Sequence, residues 1–142
     1  MRRTLILIAS AIALPVLAAP ALAAPVKLSA TLSGAAEAPG PGAADGKGSA
    51  ELTFDSDKGQ VCYMLMASGT DAPTMAHVHK GAAGVAGGVV VPLTAPTGGM
   101  AQACAPVAAD VMAAIVAAPA DYYVNVHTAA FPRGAMRGQL AK

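Results

Sequence analysis

Short segments in which apolar and polar residues alternate recur along this chain, separated by stretches rich in glycine and proline. The alternation is clearest at residues 26–32 and 49–54, and its period of two is that of a β-strand with one buried face. Residues 34–48 and 81–88 show no period and are expected to form loops. Further strands are predicted from the same pattern and from β-branched and aromatic content at 60–67, 74–79, 89–93, 100–104, 121–127 and 135–140.

One segment has the composition of a helix. Residues 105–118 are rich in alanine, and Pro106 and Pro119 bracket the helical core at 110–115.

Pro92 places its strand at an edge or an end of a sheet, because the proline nitrogen has no hydrogen to donate to a neighbouring strand. Short strands, one short helix and frequent turns are typical of an all-β fold, here a Greek-key β-sandwich or barrel.

The first 23 residues have the features of a secretory signal peptide. Arg2 and Arg3 give a positive start, an apolar run follows at residues 5–17, and Ala21-Leu22-Ala23 supplies small residues for cleavage. The apolar run is too short to favour a membrane span, so none is expected after cleavage. We therefore expect residues 1–23 to be removed and residues 24–142 to form a single periplasmic or secreted domain.

The net charge limits the partners. Two of the nine Lys and Arg residues lie in the predicted signal peptide, which leaves seven against eight Asp and Glu. This slightly negative balance argues against nucleic acid as a partner. The partners we expect are a metal ion and another exported protein.

Cys62 and Cys104 are the two cysteines of the chain. In an oxidising compartment a disulfide between them is favoured, and it would close a loop of about 43 residues. A metal thiolate site and two reduced core cysteines are the alternatives.

The three histidines fall in two strand-like motifs. On a strand, His77 and His79 share a face with Met75, and their Cα atoms lie about 6.6 Å apart. In the second motif His127 shares a face with Asn125. If the two strands are neighbours in the sheet, the three imidazoles can converge on one ion, because metal–nitrogen bonds measure about 2.0 Å.

Copper is the expected ion and zinc the second choice, since neutral imidazole suits both. A thioether from Met75 or Met136 would add a soft ligand that favours copper. The alternative is that the histidines only brace the ends of strands. The remaining methionines are expected to fill gaps in the core, namely Met64, Met66, Met100 and Met112.

Glu37 stands alone in an apolar loop. A solvated surface carboxylate is the first expectation, and the alternatives are that Glu37 pairs with Arg133 or Arg137 or orients a histidine from outside the ligand set. Asn125 and Arg137 are placed with Glu37 around the predicted metal site.

The motifs taken together resemble the CHRD (chordin-type) domain family. The residues that carry the resemblance are Leu32-Ser33-Gly34 with Glu37 and Pro39, Ala76-His77-Val78-His79 with the loop at 81–84, residues 89–93, the run Tyr123-Val124-Asn125-Val126-His127-Thr128-Ala129-Ala130-Phe131-Pro132, and Arg137-Gly138-Gln139-Leu140. This chain resembles the exported bacterial members in particular. It departs from the family at Ala135-Met136, where the family usually has Glu-Ile, so any role of that glutamate is in doubt here.

The resemblance implies a β-sandwich of about this size and no established reaction. From the predicted leader and the three histidines we expect an exported copper-binding protein that is not an enzyme and that serves metal handling or resistance. One alternative is a protein-interaction or matrix module. Another is a redox enzyme like superoxide dismutase, because His77-Val78-His79 is similar to a copper-ligand pair of the copper/zinc enzymes; the resemblance covers only these few residues.

Overall fold

The computed structural model describes residues 24–142, so the predicted signal peptide at residues 1–23 lies outside the described part. Eight strands and one short α-helix make up the fold, as the sequence predicts. Their bounds are β1 Val26–Ser33, β2 Lys47–Asp55, β3 Gln60–Ser68, β4 Pro73–Lys80, β5 Val89–Leu93, β6 Met100–Pro106, α1 Ala109–Ala117, β7 Tyr122–Thr128 and β8 Met136–Gln139.

The strands form one antiparallel sheet in the order β5-β4-β7-β8-β1-β2-β3-β6. Several neighbours are distant in sequence, such as β4 with β7 and β3 with β6, as a Greek-key arrangement requires. The two end strands, β5 and β6, approach each other, so the sheet curls into a nearly closed barrel. Pro92 lies in β5, which is an edge strand of this order, as predicted.

The predicted alternation determines which side chains enter the barrel. On β3, for example, Val61, Tyr63 and Leu65 are buried, while the residues between them face outward. Helix α1 adds Met112 and Ile115 to the same core. No helix within residues 24–142 is long and apolar enough to cross a bilayer.

The expectation for the methionines is right for Met112 and wrong for three others. Met64, Met66 and Met100 are 36%, 48% and 55% exposed, because they occupy outward positions of β3 and β6. Met136 is fully buried in the core.

Strand β7 is buried along its whole length, unlike the other long strands. Val124 and Val126 face the core, whereas Tyr123, Asn125 and His127 face the outer side of the sheet. Loops at 81–88 and 129–135 supply hydrogen bonds to this outer side. A polar layer is therefore enclosed between the sheet and its loops.

Cys62 and Cys104 are directly opposite each other on β3 and β6 and form a disulfide, as favoured from the sequence. Within residues 24–142, the edge strand β6 pairs with β3 alone, and the disulfide joins these two strands.

Removal of this disulfide in the variant Cys62→Ser/Cys104→Ser should lower the free energy of unfolding by about 2–4 kcal/mol, since a long loop of the unfolded chain is no longer closed. Chemical denaturation measures the change. Thr53→Ser, beside Cys62 on β2, is the control and should leave stability nearly unchanged. An equal stability of the double variant and the wild type would contradict the expectation.

Candidate metal centre

The three histidines meet on the outer face of the sheet because β4 and β7 are antiparallel neighbours. The register opposes Met75 to His127, and His79 to Tyr123. Residues two apart on a strand share a face, so this register brings all three imidazoles to one side. The predicted convergence of the three rings is therefore present in the fold.

The nitrogen atoms are close enough to share an ion after small side-chain rotations. His77 Nδ1 lies 3.2 Å from His127 Nε2, and one ligand nitrogen from each ring lies within 4.8 Å of the others. Three nitrogens bound to one ion at about 2.0–2.1 Å in tetrahedral directions would be about 3.3 Å apart. One pair already has this spacing, and the third ring has to approach.

Two backbone carbonyls fix how the buried rings carry their protons. His79 Nδ1 donates to the carbonyl oxygen of Gly87 at 2.9 Å, and His127 Nδ1 donates to that of Pro132 at 3.1 Å. A carbonyl oxygen only accepts, so in each neutral ring the proton is on Nδ1 and Nε2 carries a lone pair. His77 Nδ1 then donates to His127 Nε2.

His79 Nε2 is buried and makes no hydrogen bond to the residues that the structure describes. Buried polar atoms are nearly always paired, and an unpaired acceptor costs about 1–3 kcal/mol. The carbonyl of Gly87 orients this ring through Nδ1, and one ligand nitrogen from each of the three rings lies within 4.8 Å of the others, so the lone pair suits a metal ion.

The surroundings of all three imidazoles favour the neutral form. Burial is the main cause that lowers the pKa of each ring below 6.5, because it disfavours the charged form. For His77 the nearby His127 and His79 lower the pKa further. The carbonyls of Gly87 and Pro132 partly oppose the shifts at His79 and His127. Neutral imidazole is the form that binds a metal.

A stack of three planar groups supports the site. The ring of Tyr123 lies parallel to that of His79, with centroids 4.9 Å apart, and the guanidinium of Arg137 lies 3.4 Å from the centroid of Tyr123. Cation–π attraction and offset stacking both favour this order. Arg137 is also buried, and its charge lowers the pKa of His79.

Arg137 also fastens the loop that orients His79. Its guanidinium donates to the carbonyl oxygens of Val85 and Ala82 and to Oε1 of Gln139. At the far end of the loop, the N–H of Gly87 donates to Tyr123 Oη at 3.1 Å. The predicted placement of Arg137 near the site thus has a physical role in the loop.

Gly87 has no room for a side chain, because a Cβ there would overlap the carbonyl oxygen of Lys80. The close approach lets the loop fold back over β4.

Gly87 and Pro132 were not identified from the sequence as hydrogen-bond partners of histidines, because any residue type can supply a backbone carbonyl. The dense glycines of 81–88 were the one available signal.

Glu37 contacts Asn125 instead of an arginine or a histidine. The amide of Asn125 donates to Glu37 Oε1 and, at 3.3 Å, to the carbonyl oxygen of Met136. Arg137 acts on Glu37 through charge without an ion pair, and Arg133 is exposed. Backbone carbonyls orient the histidines, so Glu37 does not have that expected role among the described residues.

Only one of the two predicted thioethers is near the histidines. Met75 is on their face of the sheet and directly opposite His127, and it is largely exposed. Met136 pairs with Val126, whose side chain points into the core, so Met136 Sδ lies on the other side of the sheet from His127. The expectation that Met136 is a ligand is therefore wrong.

Replacement of Arg137 by methionine, which keeps most of its volume, should loosen the loop at 82–87. Two carbonyls lose their donor, and the amides of Val85 and Gly87 should exchange hydrogen faster in mass-spectrometric exchange. Arg133→Met is the matched control, because Arg133 is exposed. Equal exchange in both variants would show that Arg137 does not hold the loop.

Glu37 should make stability depend on pH. Burial raises its pKa to about 7 from 4.5, so between these values the folded state keeps a proton that the unfolded chain has lost. The contribution of Glu37 to stability is therefore fully present below about pH 4.5 and is lost as the pH rises through 7.

Glu37→Gln removes this titration and retains an acceptor for Asn125. Relative to wild type, its free energy of unfolding should rise between pH 5 and pH 8 (about the range of the shift). Denaturation across that range measures the difference. Exposed Glu51→Gln is the control, and parallel profiles for wild type and Glu37→Gln would refute the assignment.

Comparison with known proteins agrees with the resemblance inferred from the motifs. No curated protein matches the chain. A family model described as CHRD domain matches residues 28–140, which include all three histidines, both cysteines and nearly the whole described fold. The chain therefore belongs to the CHRD domain family.

Proposed function

We propose that this protein is an exported copper-binding protein that serves metal handling or resistance, with His77, His79 and His127 as ligands. The observation that carries the proposal is the buried lone pair of His79 Nε2, which faces two further imidazoles and has no hydrogen-bond partner among the described residues.

A purely structural role explains the arrangement less well. Histidines that brace strands would pair both nitrogens or expose one to water, whereas His79 pairs only Nδ1. The fixed tautomers, the lowered pKa values and the support of each buried ring by a carbonyl are what metal-binding histidines need. A bound ion would replace the hydrogen bond between His77 and His127 and would pair the nitrogen of His79.

Copper is favoured by the donor set. Three neutral nitrogens bind Cu(II) more tightly than other divalent first-row ions. Met75, beside His127 on the same face, offers a soft thioether to Cu(I). The positive charge of Arg137 nearby disfavours a high ionic charge, which is a second reason to expect binding of Cu(I). Zinc is the second candidate.

Export is supported by the disulfide and by the predicted leader. Disulfides persist in oxidising compartments, and Cys62–Cys104 joins two strands of the barrel. The periplasm or the exterior of the cell is the location that we propose.

The proposed role is binding without catalysis. An interaction or matrix module would show no stoichiometric metal and no change of melting temperature with a chelator. A dismutase would need an open coordination position and would lose its activity with the metal. Failure of the copper-loaded protein to dismutate superoxide would exclude that alternative.

Titration of the protein with Cu(II) and, separately, with Cu(I) against competing chelators tests the proposal. Wild type should bind one equivalent of Cu(II), and His77→Ala/His79→Ala should lose more than about 100-fold of this Cu(II) affinity, because even outer partners of a ligand are worth 10–100-fold. Since burial lowers the pKa of the histidines, binding should persist below pH 6.5.

Lys80→Ala is the matched control, because Lys80 follows His79 on β4 and is exposed. It should bind copper like the wild type. Circular dichroism should show that the double variant remains folded. Unchanged affinity in a folded double variant would refute the three-histidine site.

A further inference from the structure

Three methionines lie together on the outer face of β3 and β6, away from the histidines. Met64 and Met66 are two residues apart on β3, so they share a face, and Met100 is on β6 directly opposite Met66. The expected distance between opposed Cβ atoms is about 4.5–5.5 Å, and diagonal neighbours such as Met64 and Met100 are about 7–8 Å apart. Methionine has three rotatable bonds, so the three sulfur atoms can meet.

The register of these strands is fixed covalently. Cys62 and Cys104 occupy the same row of outward positions, two residues before Met64 and four residues after Met100. Their disulfide prevents β6 from sliding along β3. The pairing of Met66 with Met100 is therefore held in place although β6 is an edge strand.

Exposed thioethers are unusual at these positions. The outward positions of the neighbouring strand β2 carry Lys47, Ser49, Glu51 and Thr53, which is the normal polar face of a half-buried sheet. No Leu, Ile or Phe of the described residues is among the large exposed apolar side chains. The exposed valines, Val85 and Val89, lie outside β3 and β6, so the large exposed apolar side chains of these two strands are all thioethers.

The chemistry of this patch suits a soft monovalent cation. Thioether sulfur is neutral, loses no proton on binding and prefers Cu(I) to harder ions. Glu51 lies opposite Met64 on β2 and supplies a negative charge beside the sulfur atoms. The patch differs from the histidine site, whose nitrogens also suit divalent ions.

We propose that Met64, Met66 and Met100 form a second metal site, specific for Cu(I) or Ag(I). It is separate from the three-histidine site in residues, in position on the barrel and in ligand chemistry. The two proposals can therefore fail independently.

The test uses Ag(I), which needs no reductant, in the His77→Ala/His79→Ala background. The methyl groups of methionine are followed by NMR during titration with silver nitrate. The signals of Met64, Met66 and Met100 should shift together and be complete at one equivalent. Met112, which is buried in the core and belongs to neither proposed site, is the internal control.

Met66→Leu/Met100→Leu in the same background should weaken Ag(I) binding at least about tenfold, since two of three ligands are lost. Leucine keeps the volume and apolar character, so the variant should fold. Met112→Leu, in the core, should bind like the parent. Shifts of Met112 equal to those of the three, or unchanged affinity in the leucine variant, would overturn the site. The site would also be overturned if the methionine signals shifted with protein concentration and did not respond to Ag(I). That result would identify the patch as a self-association surface.

Discussion

The pairing of β4 with β7 is the constraint on which the histidine cluster depends. A shift of this register by one residue would send the ring of His127 to the other face of the sheet, and a shift by two would change which residue of β4 lies opposite it. The core holds the register, because Val78 and Val124 are fully buried partners on the inner face. Hydrophobic packing inside the barrel thus determines where the three histidines lie on its outer face.

A buried positive charge organises the layer above that register. Arg137 has no carboxylate within ion-pair distance among the described residues, and its charge is instead solvated by two loop carbonyls, Gln139 and the face of Tyr123. A charge in such a place is costly without these partners. Opening the loop at 81–88 would leave the buried guanidinium without its acceptors, which favours the closed loop over β4. The closed loop orients His79.

Much of this could be predicted from the sequence, because alternation reports directly on which side of a strand is buried. The strands and the shared face of His77 and His79 followed from that pattern, and the helix followed from composition and its bracketing prolines. The error over Met64 and Met66 came from weighing residue type above position. In residues 60–67 the inward set is Val61, Tyr63, Leu65 and Ala67, which leaves the methionines outside.

Other features of the site could not be predicted, because no residue type or spacing in the sequence indicates them. The carbonyls of Gly87 and Pro132 hold two histidines, and any residue could supply such an oxygen. Met136 lies at a position whose face depends on the pairing of β8 with β7, which is a matter of tertiary structure. The partner of Glu37, an amide and not an arginine, likewise follows from how the loop at 34–46 crosses the sheet.

The three imidazole rings are buried to different extents, so one side of the cluster is closer to solvent than the other. His79 and His127 are 8% and 6% exposed, whereas His77 is open to solvent along part of its ring. Of the three rings, His77 is the one most accessible to solvent. If the proposed ion binds here, His77 is the ligand that it would meet first.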